Sequence, residues 1–162
     1  MDILWLRRRC EEKGIPAIRE DTEKLLRVLI GLKRPKKILE IGTAIGYSAA
    51  VMLSCGDPSS RLFSIEKDEE KYLLARQNLE KLGFAGRATL FLGDAGEILK
   101  SLTGRYDFIF LDGPKGQYLH FLPYLLEAME EGGALVCDDV NYRGLVDGSV
   151  MMRRNSLTLV NN

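Results

Sequence analysis

Apolar residues along this chain follow two rhythms. Residues 37–41, 61–65, 88–92, 106–111 and 133–137 form short runs of strand length, and KILEI, FIFL and ALVC within them are apolar almost throughout. Runs of that kind suit strands covered on both faces. Between them, residues 48–54, 68–82, 95–102 and 117–130 carry a helical pattern. The second of these, DEEKYLLARQNLEKL, has acids in its first turn, leucines at helical spacing and Gly83 just past its end, the ordinary start and stop signals of a helix. Ahead of the first run, 2–13 and 21–32 read as two more helices, the second with Asp21 as its N-cap. Alternation of strand and helix predicts βαβ units and a parallel sheet. The right-handed crossover rule then gives a doubly wound α/β fold. Residues 139–162, with Gly144, Gly148 and a short apolar stretch at 157–160, have room for one helix or one short strand.

The chain has 162 residues, 46% hydrophobic and 28% charged, which suits one globular domain over 1–162, its N-terminal helices in 1–34. A disordered tail, a collagen-like repeat and a disulfide scaffold are excluded. Lys+Arg and Asp+Glu each total 23, so no overall basic field draws the chain to nucleic acid or anionic lipid. Cys10, Cys55 and Cys137 are odd in number and form no CxxC pair, which predicts reduced thiols. Neither a signal peptide nor a run of about 20 apolar residues is present, and the expectation is a cytoplasmic protein without membrane contact.

In an open parallel sheet, ligands bind at the carboxyl ends of the strands. Each predicted strand brings an acid there: Glu40, Glu66, Asp94, Asp112 and the pair Asp138-Asp139. One such acid is an ordinary helix cap; five on one rim predict a binding site. The first loop is Gly42-x-x-x-Gly46, with Ala44 where a dinucleotide fold needs its middle glycine, so a pyrophosphate is disfavoured. Glu40 suits a cation, and the helix opening after the loop suits a carboxylate. Glu66, 24 residues beyond Gly42, is placed to accept ribose hydroxyls. A ligand with a positive centre, an ammonium and a carboxylate fits.

E-I-G-T-A-I-G-Y-S, followed by I-E-K-D and G-D-A, is similar to the S-adenosylmethionine site of class I methyltransferases. From about Ile15 to Gly144 the chain resembles the metal-dependent O-methyltransferases that include the catechol and caffeoyl-CoA enzymes. P-K-K-I-L-E-I-G-T-A-I-G-Y-S and K-G-Q-Y most resemble the bacterial tRNA 5-hydroxyuridine methyltransferases. The resemblance implies a Rossmann-like methyltransferase fold with strand order 3-2-1-4-5. It implies S-adenosylmethionine as cofactor, with Glu40, Gly42 and Ser48 at the methionine end and Thr43 and Gly46 in the same loop. Glu66 with Lys67 would take the ribose, and Gly93, Asp94 and Ala95 the adenine. Asp112, counted with the cofactor residues, would also bind Mg²⁺ or another divalent cation together with Asp138 and Asp139, although the family usually has Asn at the last position. Three hard oxygen donors suit Mg²⁺. Lys115 matches the family's general base, a role that needs a nearby cation and partial burial to depress its pKa. By themselves, Asp138-Asp139 read first as loop caps; for Lys115 a solvated loop lysine is the lesser alternative. Tyr118 reads as helix packing and His120 as a surface or satisfied residue. The implied reaction is in-line displacement, a metal-held acceptor oxygen attacking the sulfonium methyl.

Acceptor identity stays open at this point. A tRNA hydroxyl is the first choice; a small catechol, phenol or CoA-linked acceptor, or a non-catalytic nucleotide-binding module, are the alternatives. Lys33-Arg34-Pro35-Lys36-Lys37 precedes the first strand and falls on the opposite rim as a solvated loop, whereas Arg143, Arg153 and Arg154 follow the fifth and can meet phosphates. The family's sheet closes with an antiparallel strand pair, for which the 24 residues after Asp138 are too few. That predicts a chain truncated at its C-terminus, a fifth strand with an exposed edge and, through that edge, a homodimer.

Overall fold

A computed structural model describes residues 2–138 and the backbone of 158–161. Helices α1 (Ile3–Lys13) and α2 (Glu20–Lys33) precede the alternation β1 (Lys37–Ile41), α3 (Tyr47–Cys55), β2 (Arg61–Glu66), α4 (Glu69–Lys81), β3 (Ala88–Leu92), α5 (Ala95–Ser101), β4 (Tyr106–Leu111), α6 (Tyr118–Ala128) and β5 (Met129–Cys137). A short 3-10 turn, Lys115–Gln117, leads into α6, and β6 (Thr158–Asn161) follows β5. The sheet order is β3-β2-β1-β4-β5-β6. The first five strands are parallel, in the doubly wound order expected.

The two-residue period of a strand sorts its side chains to opposite faces. Ile38, Phe108, Phe110 and Val136 pack with α1, α2 and α3 on one face. Leu39, Ile41, Ile109, Leu111 and Leu135 pack with α5 and α6 on the other. Each large side chain so buried contributes about 1.5–3 kcal/mol. Helix ends follow local chemistry: Asp2 Oδ1 accepts the Trp5 amide at 2.9 Å, and Asp68 Oδ1 accepts that of Lys71 at 3.1 Å.

Three expectations change. Asp21 is not the N-cap of α2; the helix starts at Glu20, and Asp21 sits in its first turn beside Glu20 and Glu23, where acids favour the helix dipole. The helical pattern at 117–130 ends at Ala128, and β5 starts at Met129 rather than at residue 133, because Met129 pairs with Tyr106 across a register shift. That pairing is a long-range contact with no local signature. Finally, β5 has no bare edge along Ala134–Cys137: β6 pairs with it antiparallel, Cys137 opposite Thr158 and Ala134 opposite Asn161. Of the antiparallel pair expected to be missing, one strand is present, and dimerisation through that stretch of β5 loses its basis.

Candidate functional site

The carboxyl ends of β1 to β4 border a cavity of about 320 Å³. Its first wall is the loop after β1. Gly42 has φ +95°, and a β-carbon there would run into the backbone carbonyl of Asp112. Only glycine fits this left-handed close approach. The loop is tied to both neighbouring strands, Gly42 N donating to Ile65 O at 3.0 Å and Asp112 N to Ile41 O at 2.9 Å. Ala44, also left-handed at φ 45°, donates its amide to Glu66 Oε2 at 2.8 Å. Glu66 Oε1 accepts the Asp68 amide at 2.9 Å. Two backbone donors thus fix the carboxylate on the cavity wall, and an ionised carboxylate has lone pairs left for a diol.

Glu40 lies behind that wall. It is fully buried and does not line the cavity. Its oxygens accept the hydroxyls of Ser48 and Ser64, each at 2.5 Å, and Thr43 extends the chain of hydroxyls through Ser64. Burial pushes the Glu40 carboxyl up to about 7; the two serine bonds pull it back, while the charges of Asp112 and Glu66 add to the rise. Thr43 and Ser48 do line the cavity. Gly46 does not. Its missing side chain instead lets α4 approach, since a β-carbon would stand 3.4 Å from Ala75 and Leu79.

On the far side, Gly93, Asp94, Ala95 and Lys67 line the cavity. Asp94 accepts the Gly96 amide at 2.9 Å and the Lys67 ammonium at 3.0 Å, and the Lys67 bond holds its carboxyl below the usual range. Beyond Asp112, which is also on the wall, Lys115 Nζ donates to Asp112 Oδ1 at 2.7 Å and to the Tyr118 hydroxyl at 2.9 Å. The Asp138 amide bonds Leu111 O at 2.9 Å, so Asp112 and Asp138 stand at adjacent strand ends. Thr22, buried on α2, donates its hydroxyl to Asp138 Oδ1 at 3.2 Å.

Four wall residues, Cys10, Pro16, Ala17 and Ile18, come from the N-terminal segment. Arg7 and Tyr47 hold that segment in place through Glu23, at 2.8 Å and 2.5 Å. Sequence reasoning missed this wall, and also Thr22, because a small apolar Pro-Ala-Ile turn and a mid-helix threonine carry no local sign of a ligand. Tyr118, expected to serve packing alone, also bonds Lys115 Nζ and two backbone carbonyls through its hydroxyl.

The donor chemistry of Asp112 and Asp138 fits a hard divalent cation. Among the described residues, no group of three or more His, Cys, Asp or Glu gathers as a metal cluster. Asp139, the third expected ligand, lies outside the described residues, as do Arg143, Arg153 and Arg154. Among the described residues, no helix is long and apolar enough to cross a membrane.

The sequence profile of the O-methyltransferase family matches residues 6–161. A catechol O-methyltransferase of Niastella koreensis is 32% identical over 146 residues, 86% of this chain and 64% of the relative. The catechol O-methyltransferase of Bos taurus is 32% identical, covering 76% of this chain and 48% of its own length. The chain therefore spans less than two thirds of the length of these curated relatives. Among solved structures, the O-methyltransferase TomG from Streptomyces achromogenes, in complex with SAM, superposes with a TM-score of 0.79 at 29% identity, over 88% of this chain and 67% of TomG. A SAH-bound methyltransferase from Podospora anserina gives 0.78 at 28% identity, over 88% and 62%. With the profile running through nearly the whole chain and the fold shared at that level, the chain belongs to the O-methyltransferase family.

Proposed function

We propose that this chain is an S-adenosylmethionine-dependent O-methyltransferase working with a divalent cation, Mg²⁺ first, on the hydroxyl of 5-hydroxyuridine in tRNA. One observation carries the reading: the cavity bounded by Gly42, Glu66 and Asp94 on three strand ends borders the Asp112–Lys115 pair on a fourth. The SAM- and SAH-bound relatives support the cofactor.

S-adenosylmethionine supplies a methyl group on a sulfonium, and a divalent cation acidifies a hydroxyl bound to it. The protein's part is placement. Glu66, held by two backbone amides, accepts the ribose hydroxyls. Ser48 and the amides opening α3 take the carboxylate end, and Glu40, once ionised above about pH 7, would put a buried negative charge behind the loop for the cationic end. Asp94 and Ala95 bound the base. Asp112, Asp138 and Asp139 would hold the cation. Lys115 Nζ, oriented by Asp112 and Tyr118, would receive the acceptor's proton as the neutral amine, having first given up a proton of its ammonium. Alignment of the two reactants supplies most of the rate gain.

The tRNA acceptor rests on the resemblance carried by P-K-K-I-L-E-I-G-T-A-I-G-Y-S and K-G-Q-Y. A small catechol is the second reading, favoured by relatives that are catechol O-methyltransferases. Transfer of labelled methyl from S-adenosylmethionine separates them, assayed on tRNA lacking the methyl group and on catechol, with Mg²⁺ or with chelator. Labelling of tRNA that needs Mg²⁺ and falls steeply with salt is expected. Salt-insensitive labelling of catechol alone moves the acceptor to the second reading. Cofactor binding without transfer to tRNA, to catechol or to a CoA-linked phenol refutes the enzyme reading and leaves a nucleotide-binding module.

A further inference from the structure

The Tyr118 hydroxyl sits at a junction that packing alone does not require. The residue is buried at the start of α6, against the apolar layer that contains Leu111 and Phe121. Its oxygen lies 3.1 Å from Leu111 O and 3.1 Å from Asp138 O, the carbonyls at the ends of two neighbouring strands. It also accepts the Lys115 ammonium at 2.9 Å. A phenol has one proton and lone pairs. That proton is shared between the two carbonyls, so towards Lys115 the oxygen acts as acceptor.

Two consequences follow for the site. Asp112 comes directly after Leu111, so tying Leu111 O to Asp138 O fixes the spacing of the two carboxylates. Nζ of Lys115, bonded to both Asp112 Oδ1 and the phenol, has two of its tetrahedral directions set, and its rotation is thereby fixed. We propose that Tyr118 is a positioning residue, a hydroxyl splint that joins the ends of β4 and β5 and aims Lys115. This rests on the methyltransferase reading given above.

The test is Tyr118→Phe, which keeps the ring and removes the hydroxyl, with Tyr106→Phe as control. Tyr106 is buried on β4 and packs edge-on to Phe63 at 5.5 Å, away from the junction. In Tyr118→Phe, kcat is expected to fall about tenfold, the scale of one lost hydrogen bond to a charged group, with KM for both substrates within about twofold. Two readouts do not depend on turnover. Hydrogen exchange of the Asp138 amide should speed up by about tenfold while amides of β1 to β3 stay as they were. The slowly exchanging ammonium signal of Lys115 in nitrogen-15 spectra, assigned with Lys115→Met, should be lost. Tyr106→Phe should change none of these. An unchanged kcat, or unchanged exchange at Asp138, overturns the proposal.

If Tyr118→Phe does not fold, Lys115→Met is read instead. The phenol then keeps its two carbonyls, so exchange at Asp138 should match the wild type, and faster exchange overturns the splint. A wild type that transfers no methyl to any hydroxylated acceptor refutes the functional reading; the exchange rate and the lysine signal then decide the role of Tyr118.

Discussion

Glu40 holds a carboxyl group in the apolar layer between the sheet and α3, and this makes the stability of the fold depend on pH in a calculable way. Its pKa moves from an ordinary 4.5 to about 7, chiefly through burial. At about 1.4 kcal/mol per pKa step, ionising this group in the folded state costs about 3 kcal/mol relative to ionising it in the unfolded chain. Between pH 4.5 and 7 the folded state binds the proton and the unfolded state does not, so stability falls as pH rises through that window. Above pH 7 the penalty is constant. Glu40→Gln keeps the shape without the charge, and Ser48 or Ser64 can turn its hydroxyl to accept from the amide. The assay is urea denaturation of the cofactor-free protein, followed by circular dichroism at pH 5 and pH 8.5 for both proteins. Other titrating groups cancel in the difference between the two. Glu40→Gln should gain on the wild type by about 2–3 kcal/mol between the two pH values. A difference that stays flat across that range would refute the buried charge.

Further outcomes follow from the same geometry. Gly42→Ala forces a β-carbon against the Asp112 carbonyl at a left-handed φ and should cost about 3 kcal/mol in chemical denaturation; a loss under about 1 kcal/mol would mean the loop can move away. Thr22→Val keeps the volume and removes the donor to Asp138 Oδ1, with an expected cost of about 1 kcal/mol and weaker Mg²⁺ binding by calorimetry. Glu66→Ala should weaken S-adenosylmethionine at least about tenfold in the same titration, two hydrogen bonds being removed; unchanged affinity would place the ribose elsewhere. Asp112→Asn should abolish the Mg²⁺ dependence of binding and turnover, and an unaltered Mg²⁺ affinity would break the metal assignment.

What could be read in advance depended on how local its cause was. KILEI and FIFL identify central strands because a strand covered on both faces needs apolar residues at successive positions, and Asp68 with Glu69 and Glu70 marks a helix start by its own hydrogen bond and charge. Acids at strand ends pointed to the rim that carries the cavity for a similar reason: the parallel sheet puts those ends side by side. The role of each acid was less legible. Glu66 faces the cavity and Glu40 does not: both project to the same face of the sheet, but Glu66 ends β2 whereas Glu40 lies inside β1, closed in by Ser48 and Ser64.

The amino-acid order alone determined the strand and helix succession, the rim and the family of residues on it, since these depend on periodicity and on neighbours a few positions apart. Only the tertiary structure decided that Thr22 meets Asp138 across 116 positions, that Met129 leaves the helix to pair with Tyr106, that β6 covers β5, and that one phenol joins two strand ends. Those contacts are made between segments brought together by burial of the two apolar layers, and no short stretch of chain carries the information.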